Sequence, residues 1–260
     1  MGSTGSSFGL QSVDDKELKL LGRVHTMRQF EESYDLARKA GFQNINIDLI
    51  SAIPGQTVES WEHTLDTVIR MNPEHISAYS LIIEEGTLFY EIYGENAKEE
   101  QDSQCEKCLA DDGKQMDTGK NFPKLPDEEA ERRMYELTAE KLEAAGYLQY
   151  EVSNYAKPGY ACRHNMGYWQ RVEYLGIGTG AASLIENERY QHISDTDLYI
   201  RANGRLDQIE EEKETLDWNA QVEETMFLAS DERGVNKQKF RERYHREIQE
   251  VYGEVLEKLK

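Results

Sequence analysis

The stretch Asn44-Ile45-Asn46-Ile47-Asp48-Leu49-Ile50 decides the fold of this 260-residue chain. Polar and apolar residues alternate through its first half, and its end is apolar apart from Asp48. This pattern predicts a strand whose isoleucines pack against one layer while its polar residues face another. Asp48 lies near the C-terminal end of the predicted strand.

Helices are predicted on both sides of this strand. Before it, Thr26 and Gln29 have the spacing of a capping box, apolar residues follow at helical intervals, and Gly41 provides a glycine cap. After it, a Pro-Gly-Gln turn leads to Thr57, which can cap a second helix. One face of that helix carries apolar side chains at helical spacing, namely Trp61, Leu65, Val68 and Ile69.

The alternation continues with a strand over 76–83, a helix over 127–145 that stops at Gly146, and a strand over 147–152. The order αβαβαβ predicts an α/β fold with a parallel sheet and outer helices. It is either an open doubly wound sheet or part of a (β/α) barrel. In both, ligands bind at the C-terminal ends of the strands, where Asp48 is placed.

Four segments are predicted along the chain. A long stretch rich in Glu, Asp, Lys and Gln is expected to be a disordered surface insertion. Helices over 218–228 and 237–259 follow an acidic run that begins near Glu210, and they indicate a separate small unit. The segments are βα units at 8–94, the polar insertion at 95–122, the last barrel units at 123–209, and a partial helical C-terminal domain at 210–260.

Composition excludes several classes of protein. The chain has 50 Asp and Glu against 30 Lys and Arg, a formal charge of -20. A phosphate backbone would be repelled, so nucleic acid is not an expected partner. No apolar run approaches the roughly 20 residues of a membrane helix, so an integral membrane protein is not expected. The start has no signal-peptide core, and three cysteines are too few for a disulfide framework, which predicts a cytoplasmic protein.

The densest cluster of side chains that could carry chemistry lies in Cys162-Arg163-His164-Asn165-Met166-Gly167-Tyr168-Trp169. Histidine and cysteine are both axial ligands of haem iron, and the two large aromatic rings can lie against a porphyrin face. Alternatively, His164 is a hydrogen-bonded loop residue, and Tyr168 and Trp169 are wall or core residues. The residues by themselves leave both interpretations open.

Three glycines alternate shortly afterwards, at Gly176, Gly178 and Gly180. They permit close approach of the backbone to a ligand, but they equally permit a strand to bend.

Cys105 and Cys108 have the spacing of half a zinc site or of a redox pair. No second pair of cysteines completes a tetrahedral site, so two free thiols in a loop are the alternative. No Walker motif, nucleophile elbow or His-Glu metalloprotease helix occurs in the sequence.

Gln11, Arg23 and Asp48 are polar residues near the starts or ends of barrel-like elements. Taken singly, each has a structural explanation, since Arg23 can pair with surface acids and Asp48 can cap the next helix.

Several motifs together resemble the oxygen-independent coproporphyrinogen III oxidase family of radical S-adenosylmethionine proteins. The resemblance spans roughly residues 8 to 259 apart from the polar insertion. The run from His164 to Trp169 resembles the signature of the haem chaperone branch of that family. The other motifs are Gly9-Leu10-Gln11-Ser12, Leu21-Gly22-Arg23-Val24-His25-Thr26, Asn46-Ile47-Asp48-Leu49-Ile50, Ile53-Pro54-Gly55-Gln56-Thr57, Ile76-Ser77-Ala78-Tyr79-Ser80-Leu81, Glu84-Glu85-Gly86-Thr87, Tyr150-Glu151-Val152-Ser153-Asn154-Tyr155-Ala156 and Tyr174-Leu175-Gly176-Ile177-Gly178.

The resemblance implies an incomplete radical-SAM-type (β/α) barrel with a small helical C-terminal unit. It implies that S-adenosylmethionine is contacted by Gln11, Arg23 and Asp48, and that a four-iron cluster cleaves it to a radical. It also implies haem binding by His164, the residue that would hold the haem iron, with Asn165, Tyr168 and Trp169 beside it. The resemblance implies no catalytic residue in this chain.

The chain departs from the family pattern at its beginning. The family holds its cluster with three cysteines spaced CxxxCxxC, and this sequence has no such motif. Cys105 and Cys108 differ in spacing and position and cannot replace it. We therefore expect a chain shortened at both ends, as in a shortened gene product or a designed fragment. Uncovered sheet edges then predict self-association.

The favoured function is that of a haem-binding protein resembling the chaperone that delivers haem to respiratory enzymes. One alternative is a coproporphyrinogen oxidase or dehydrogenase of porphyrin biosynthesis, which is an oxidoreductase. Because the cluster cysteines are missing, this chain is not expected to catalyse that reaction alone. The other alternative is an inactive fragment of either.

Overall fold

The strand predicted at residues 44–50 is present as β2, Ile45–Ser51. In the computed structural model, which describes residues 5–94, 122–228 and 234–258, β2 pairs in parallel with β1, Ser6–Gln11, and with β3, His75–Ser80. Every second residue of β2 is fully buried on one face, while Asn46 and Asp48 on the other face are half-buried. The predicted alternation and the strand's place in a parallel sheet are confirmed.

The predicted helices flank this strand. The Thr26 side chain accepts from the Gln29 N–H and the Gln29 side chain accepts in return, which closes the capping box of the second helix. Thr57 caps the third helix in the same way, with Ser60 as its partner. The helices of this part of the chain are α1, Asp15–Leu20; α2, Met27–Lys39; α3, Val58–Met71; α4, Leu88–Tyr93; and α5, Glu128–Ala144.

The core of the first unit lies between the sheet and these helices. Trp61 of α3 has no exposed surface, and its indole N–H donates to the Thr138 hydroxyl at 2.9 Å and to the Met134 carbonyl at 3.2 Å. Both acceptors are on α5. A buried indole is stable only when its N–H has a partner, so this bond fixes how α3 packs on α5.

The strand expected over 147–152 differs from the prediction. Two short strands are present instead, β4, Leu148–Gln149, and β5, Asn154–Ala156. The Glu151 carboxylate accepts from the Ser153 N–H at 2.9 Å, and this turn reverses the chain. As a result β5 pairs antiparallel with β3, and the strand order is β1-β2-β3-β5-β4. Within the described residues the sheet is mixed and open, like part of a barrel, with no closed barrel.

The second compact unit begins at Cys162, and the first ends at Ala161. Residue 210, predicted as the start of a helical domain, is the first residue of a strand. The helix predicted over 237–259 is two helices, because His245 adopts a left-handed conformation with φ 54° between them. The elements are α6, Arg163–Trp169; β6, Ala182–Ile185; β7, Glu188–His192; α7, Thr196–Ala202; a 3-10 turn, Leu206–Gln208; β8, Glu210–Thr215; α8, Trp218–Leu228; α9, Lys237–Tyr244; and α10, Ile248–Lys258.

Strands β6, β7 and β8 form an antiparallel sheet. The acidic run of β8 remains exposed at the sheet edge, where Lys213 pairs with Glu188 at 2.8 Å. The acidic residues that suggested a domain boundary therefore belong to an edge strand, a position where charged side chains limit pairing with other chains.

We predict that Trp61→Phe lowers the free energy of unfolding by about 2 kcal/mol, because the smaller ring leaves a cavity and loses the hydrogen bonds to α5. Urea unfolding followed by circular dichroism measures the change. Leu36→Ala, at an exposed position on α2, serves as the control and should change stability by less than about 0.5 kcal/mol. Equal losses in both variants would contradict the described packing.

Candidate functional site

Two of the residues singled out in the sequence lie on β1 and β2, Gln11 at the C-terminal end of β1 and Asp48 in the middle of β2 rather than at its predicted end. Gln11 ends β1, is buried, and has a left-handed backbone with φ 71°. The strand register shifts between Gly9 and Gln11. A Cβ atom at Gly9 would lie 2.8 Å from the Gln11 amide nitrogen. The Gln11 side chain therefore folds back over the Gly9 position.

Asp48 lies on the neighbouring strand and pairs in register with Gly9. Its carboxylate accepts from the Ser7 hydroxyl and from the Asn46 amide, each at 2.7 Å. The expected structural role of capping the next helix is wrong, because Thr57 caps that helix. The structure thus brings Gln11 and Asp48 onto paired strands.

Arg23 lies in the exposed loop between α1 and α2. The same loop contains His25, whose Nε2 is 3.3 Å from the Leu10 carbonyl oxygen. This contact holds the loop against the end of β1, near Gln11. The structure therefore places Arg23 on a loop beside the strand ends, with its side chain in solvent.

A buried carboxylate, which sequence reasoning missed, shapes the same edge. Glu17 of α1 accepts hydrogen bonds from the hydroxyl of Ser12 at 2.5 Å, the amide of Gln56 at 2.9 Å and the hydroxyl of Ser60 at 2.9 Å. These donors come from the loop after β1, the turn after β2 and the start of α3. Glu17 thereby connects the two loops that follow the first two strands.

The polar face of the sheet carries a second network, centred on His75 at the start of β3. The Asn46 amide nitrogen donates to Asp48, so its oxygen is the atom that lies 2.7 Å from His75 Nδ1. An amide oxygen only accepts, and Nδ1 therefore carries the proton. The other ring nitrogen, Nε2, then accepts from the Tyr150 hydroxyl at 2.7 Å.

Burial, rather than these hydrogen bonds, favours the neutral imidazole. Burial lowers the pKa of His75 to about 4, and the negative charge of Asp48 opposes the shift only in part. Further along the same face, the Ser77 hydroxyl donates to the Asn154 amide oxygen at 2.7 Å. Asn154 in turn donates to Glu151, the residue of the turn before β5. The network therefore connects β2, β3 and β5 through neutral groups with carboxylates at its ends.

The residues predicted to bind haem all lie on α6 in the second unit. His164 and Tyr168 are one turn apart, and their rings meet edge to face with centroids 4.7 Å apart. Tyr168 also meets Tyr174 edge to face at 4.7 Å. His164 and Tyr168 are exposed, and Asn165 and Trp169 are half-buried. The four residues are thus brought together by one helix, with the imidazole open to solvent.

The first of the alternating glycines that follow, Gly176, lies close to the backbone of a neighbouring segment. A Cβ atom at Gly176 would lie 2.2 Å from the Ala182 carbonyl oxygen, so the chain itself fills that space. Tyr174 and Leu184 form a bridge just beside it. Gly176 lies outside the strands and admits the chain's own backbone, whereas Gly178 has a left-handed φ of 114°.

A cleft of about 480 Å³ lies in the second unit beside the end of α6. Trp169 and Gln170 line one side, and residues of α8 and α9 line the other. Sequence reasoning did not find this cleft, because its walls come from segments about 65 residues apart whose packing no local pattern encodes.

Within the described residues, no group of three or more His, Cys, Asp and Glu side chains could hold a metal ion. Cys162 is a free thiol, and Cys105 and Cys108 lie outside the described residues, as does nearly all of the predicted polar insertion. These donors do not match the cysteine ligands of an iron–sulfur cluster. No helix of the described chain is long and apolar enough to span a membrane.

Known proteins resemble this chain in sequence and in fold. Residues 2–68 match the family described as the radical SAM superfamily. The haem chaperone HemW of Bacillus subtilis is 34% identical over 254 residues, which cover 97% of this chain and 60% of that protein. HemW of Escherichia coli is 37% identical over 175 residues, 67% of this chain and 39% of that protein. Coproporphyrinogen III oxidase, HemN, of Escherichia coli has a similar structure, with a TM-score of 0.72 at 18% identity over 98% of this chain and 56% of that one.

The first unit thus carries the radical SAM match, and most of the chain is homologous to the haem chaperones named HemW. The chain spans about 60% of the length of the first of these relatives. The similarity to HemN, at 18% identity, shows the shared fold.

We predict a pH dependence of stability that originates at His75. The unfolded chain takes up a proton near pH 6.5, whereas the folded chain does so near pH 4. Between these values the unfolded state binds more protons, so the free energy of unfolding should fall as the pH falls from 6.5 to 4, by up to about 3 kcal/mol. Urea unfolding at several pH values measures this slope.

His75→Gln should flatten this part of the pH profile, because it removes the titrating ring. His63→Gln, at an exposed position on α3, is the matched control and should keep the wild-type slope. If His75→Gln kept the wild-type slope as well, the neutral buried imidazole would not be its source.

Proposed function

We propose that the chain binds haem through α6, with the His164 imidazole as the ligand of the haem iron. The observation that carries the proposal is the exposed His164 ring with the Tyr168 ring 4.7 Å away on the next turn. A neutral imidazole donates a nitrogen lone pair to iron, and histidine is a common axial ligand. The exposed position lets a large planar ligand reach it.

The neighbouring residues suit this role. Tyr168 lies between His164 and Tyr174, so three rings form one cluster at the surface. Aromatic side chains next to a porphyrin contribute apolar contact area and edge-to-face or stacked contacts. Asn165 and Trp169, on the same helix, complete the group that we assign to haem binding. The homology to proteins called haem chaperones supports the assignment.

We also propose that S-adenosylmethionine is bound by Gln11, Arg23 and Asp48. Gln11 ends β1, at the edge where parallel α/β sheets bind ligands, and Asp48 lies on the neighbouring strand, paired with Gly9. Asp48 can accept from ligand hydroxyls or an ammonium group, Gln11 can both donate and accept, and Arg23 can pair with a carboxylate. The described residues do not fit a four-iron cluster, so no radical step is assigned to them.

The cellular role that we propose is transfer of haem to an acceptor protein. The proposed acceptors are haem-dependent respiratory enzymes. A cytoplasmic location and self-association through sheet edges remain predictions.

We predict that haem titration produces a saturable Soret absorbance in the wild-type chain. His164→Ala should weaken haem binding at least about tenfold and shift the Soret band, since the iron loses its axial ligand. His63→Ala, an exposed histidine on α3, should bind haem like the wild type.

A Soret band unchanged in His164→Ala would contradict the assigned ligand. Absence of binding to the wild-type chain would overturn the function and favour the inactive fragment. Release of 5'-deoxyadenosine by the reduced, iron-reconstituted chain would instead favour the alternative of a coproporphyrinogen dehydrogenase.

For the S-adenosylmethionine site, we predict that Gln11→Ala weakens binding of radiolabelled S-adenosylmethionine in equilibrium dialysis by about tenfold, because a buried polar contact is lost. Gln43→Ala, at an exposed position before β2, should leave the affinity unchanged. Equal affinities of Gln11→Ala and the wild type would contradict the assignment.

A further inference from the structure

The cleft in the second unit begins where the haem-binding helix ends. Trp169, the last residue of α6, lines it together with Gln170. His164 lies five residues earlier on the same helix, a rise of about 7.5 Å, which is less than the width of a tetrapyrrole. A tetrapyrrole bound at His164 is therefore wide enough to reach from that residue to the cleft.

Two cations of α9 line the cleft, Lys239 and Arg243. They are one helical turn apart and both contact Gln170: the Lys239 ammonium lies 3.4 Å from the side-chain oxygen, and the Arg243 guanidinium donates to the backbone carbonyl at 3.0 Å. Neither cation forms an ion pair with a described residue. Both are thus positioned by a neutral residue.

Some arginines of the same unit have carboxylate partners, as in the pairs Arg171 with Glu224 at 2.6 Å and Arg241 with Glu247 at 3.1 Å. Other cations of the unit, Arg205 and Arg246 among them, resemble Lys239 and Arg243 in forming no ion pair with a described residue. What distinguishes Lys239 and Arg243 is that they lie one turn apart on the wall of a cleft, and two adjacent cations there favour an anion.

The cleft also contains one carboxylate, that of Glu242. Two cations and one acid leave a formal charge of +1 among these three residues. A ligand with two carboxylates would therefore be attracted overall, and Glu242 would reduce its affinity without preventing binding.

Aromatic residues form part of the cleft wall. Phe240 and Tyr244 are buried, with ring centroids 4.9 Å apart, and Trp169 faces the cleft from the other side. A flat aromatic ligand gains contact area on such walls, while its polar groups remain near the two cations.

We infer that this cleft binds the carboxylate-bearing edge of a planar tetrapyrrole, and that Lys239 and Arg243 pair with its two propionate groups. This inference rests on the proposed haem binding and adds a second set of contacts to it. Charge-assisted bonds from an ammonium and a guanidinium suit carboxylates, and Arg243 can bind one of them with two parallel N–H groups. The cleft thereby selects the acidic ligand, whereas His164 selects the iron.

The test compares haem with haem dimethyl ester, in which both propionates are neutral. The wild-type chain should bind haem at least about tenfold more tightly than the ester. The double variant Lys239→Gln/Arg243→Gln should reduce this preference to about threefold or less. The matched control, Lys237→Gln/Arg241→Gln, removes the same charge from the same helix outside the cleft and should keep the preference.

A second variant keeps the test decisive if the double variant is unstable. Glu242→Gln removes the only carboxylate among the described residues that line the cleft, so it should increase the preference for haem over the ester. Equal affinities of the wild type for haem and its ester, with binding that still depends on His164, would overturn this inference alone. No binding of haem to the wild type would overturn the proposed function as well.

Discussion

The burial of one face of β2 constrains the rest of the first unit. Ile45, Ile47 and Leu49 have no exposed surface, because α3 and the other helices cover them. Since successive side chains of a strand point to opposite faces, Asn46 and Asp48 must face away from this core. That single constraint produces the polar face on which the His75 network and the strand-end residues are arranged.

Hydrogen bonds on that face compensate for burying polar groups. His75 remains neutral because charging it would cost desolvation, and its two nitrogens each have a partner, Asn46 and Tyr150. Glu17 is buried with three donors, which fixes the loops after β1 and β2 relative to each other. The Glu17 network thereby supports the end of β1, where Gln11, one of the residues proposed to contact S-adenosylmethionine, is located.

The second unit combines two recognition chemistries on adjacent structures. His164 on α6 presents the imidazole that we propose as the iron ligand, and the cleft at the end of α6 contains two cations that have no carboxylate partner among the described residues. In an acidic chain such cations are expected to repel cationic ligands and attract carboxylates. We therefore propose that the imidazole binds the metal and that the cations of α9 bind the acidic groups of the same ligand.

The sequence alone determined the β2 strand, the capping boxes of α2, the helix at 128–144, and the family, because hydrophobic period, caps and short motifs are local signals. It also identified His164, Gln11 and Asp48 as candidates, through motif resemblance. Only the tertiary structure decided that β5 runs antiparallel, that His75 is buried and neutral, and that Lys239 approaches Gln170. Each of these depends on contacts between distant parts of the chain, which the periodicity of a single segment does not encode.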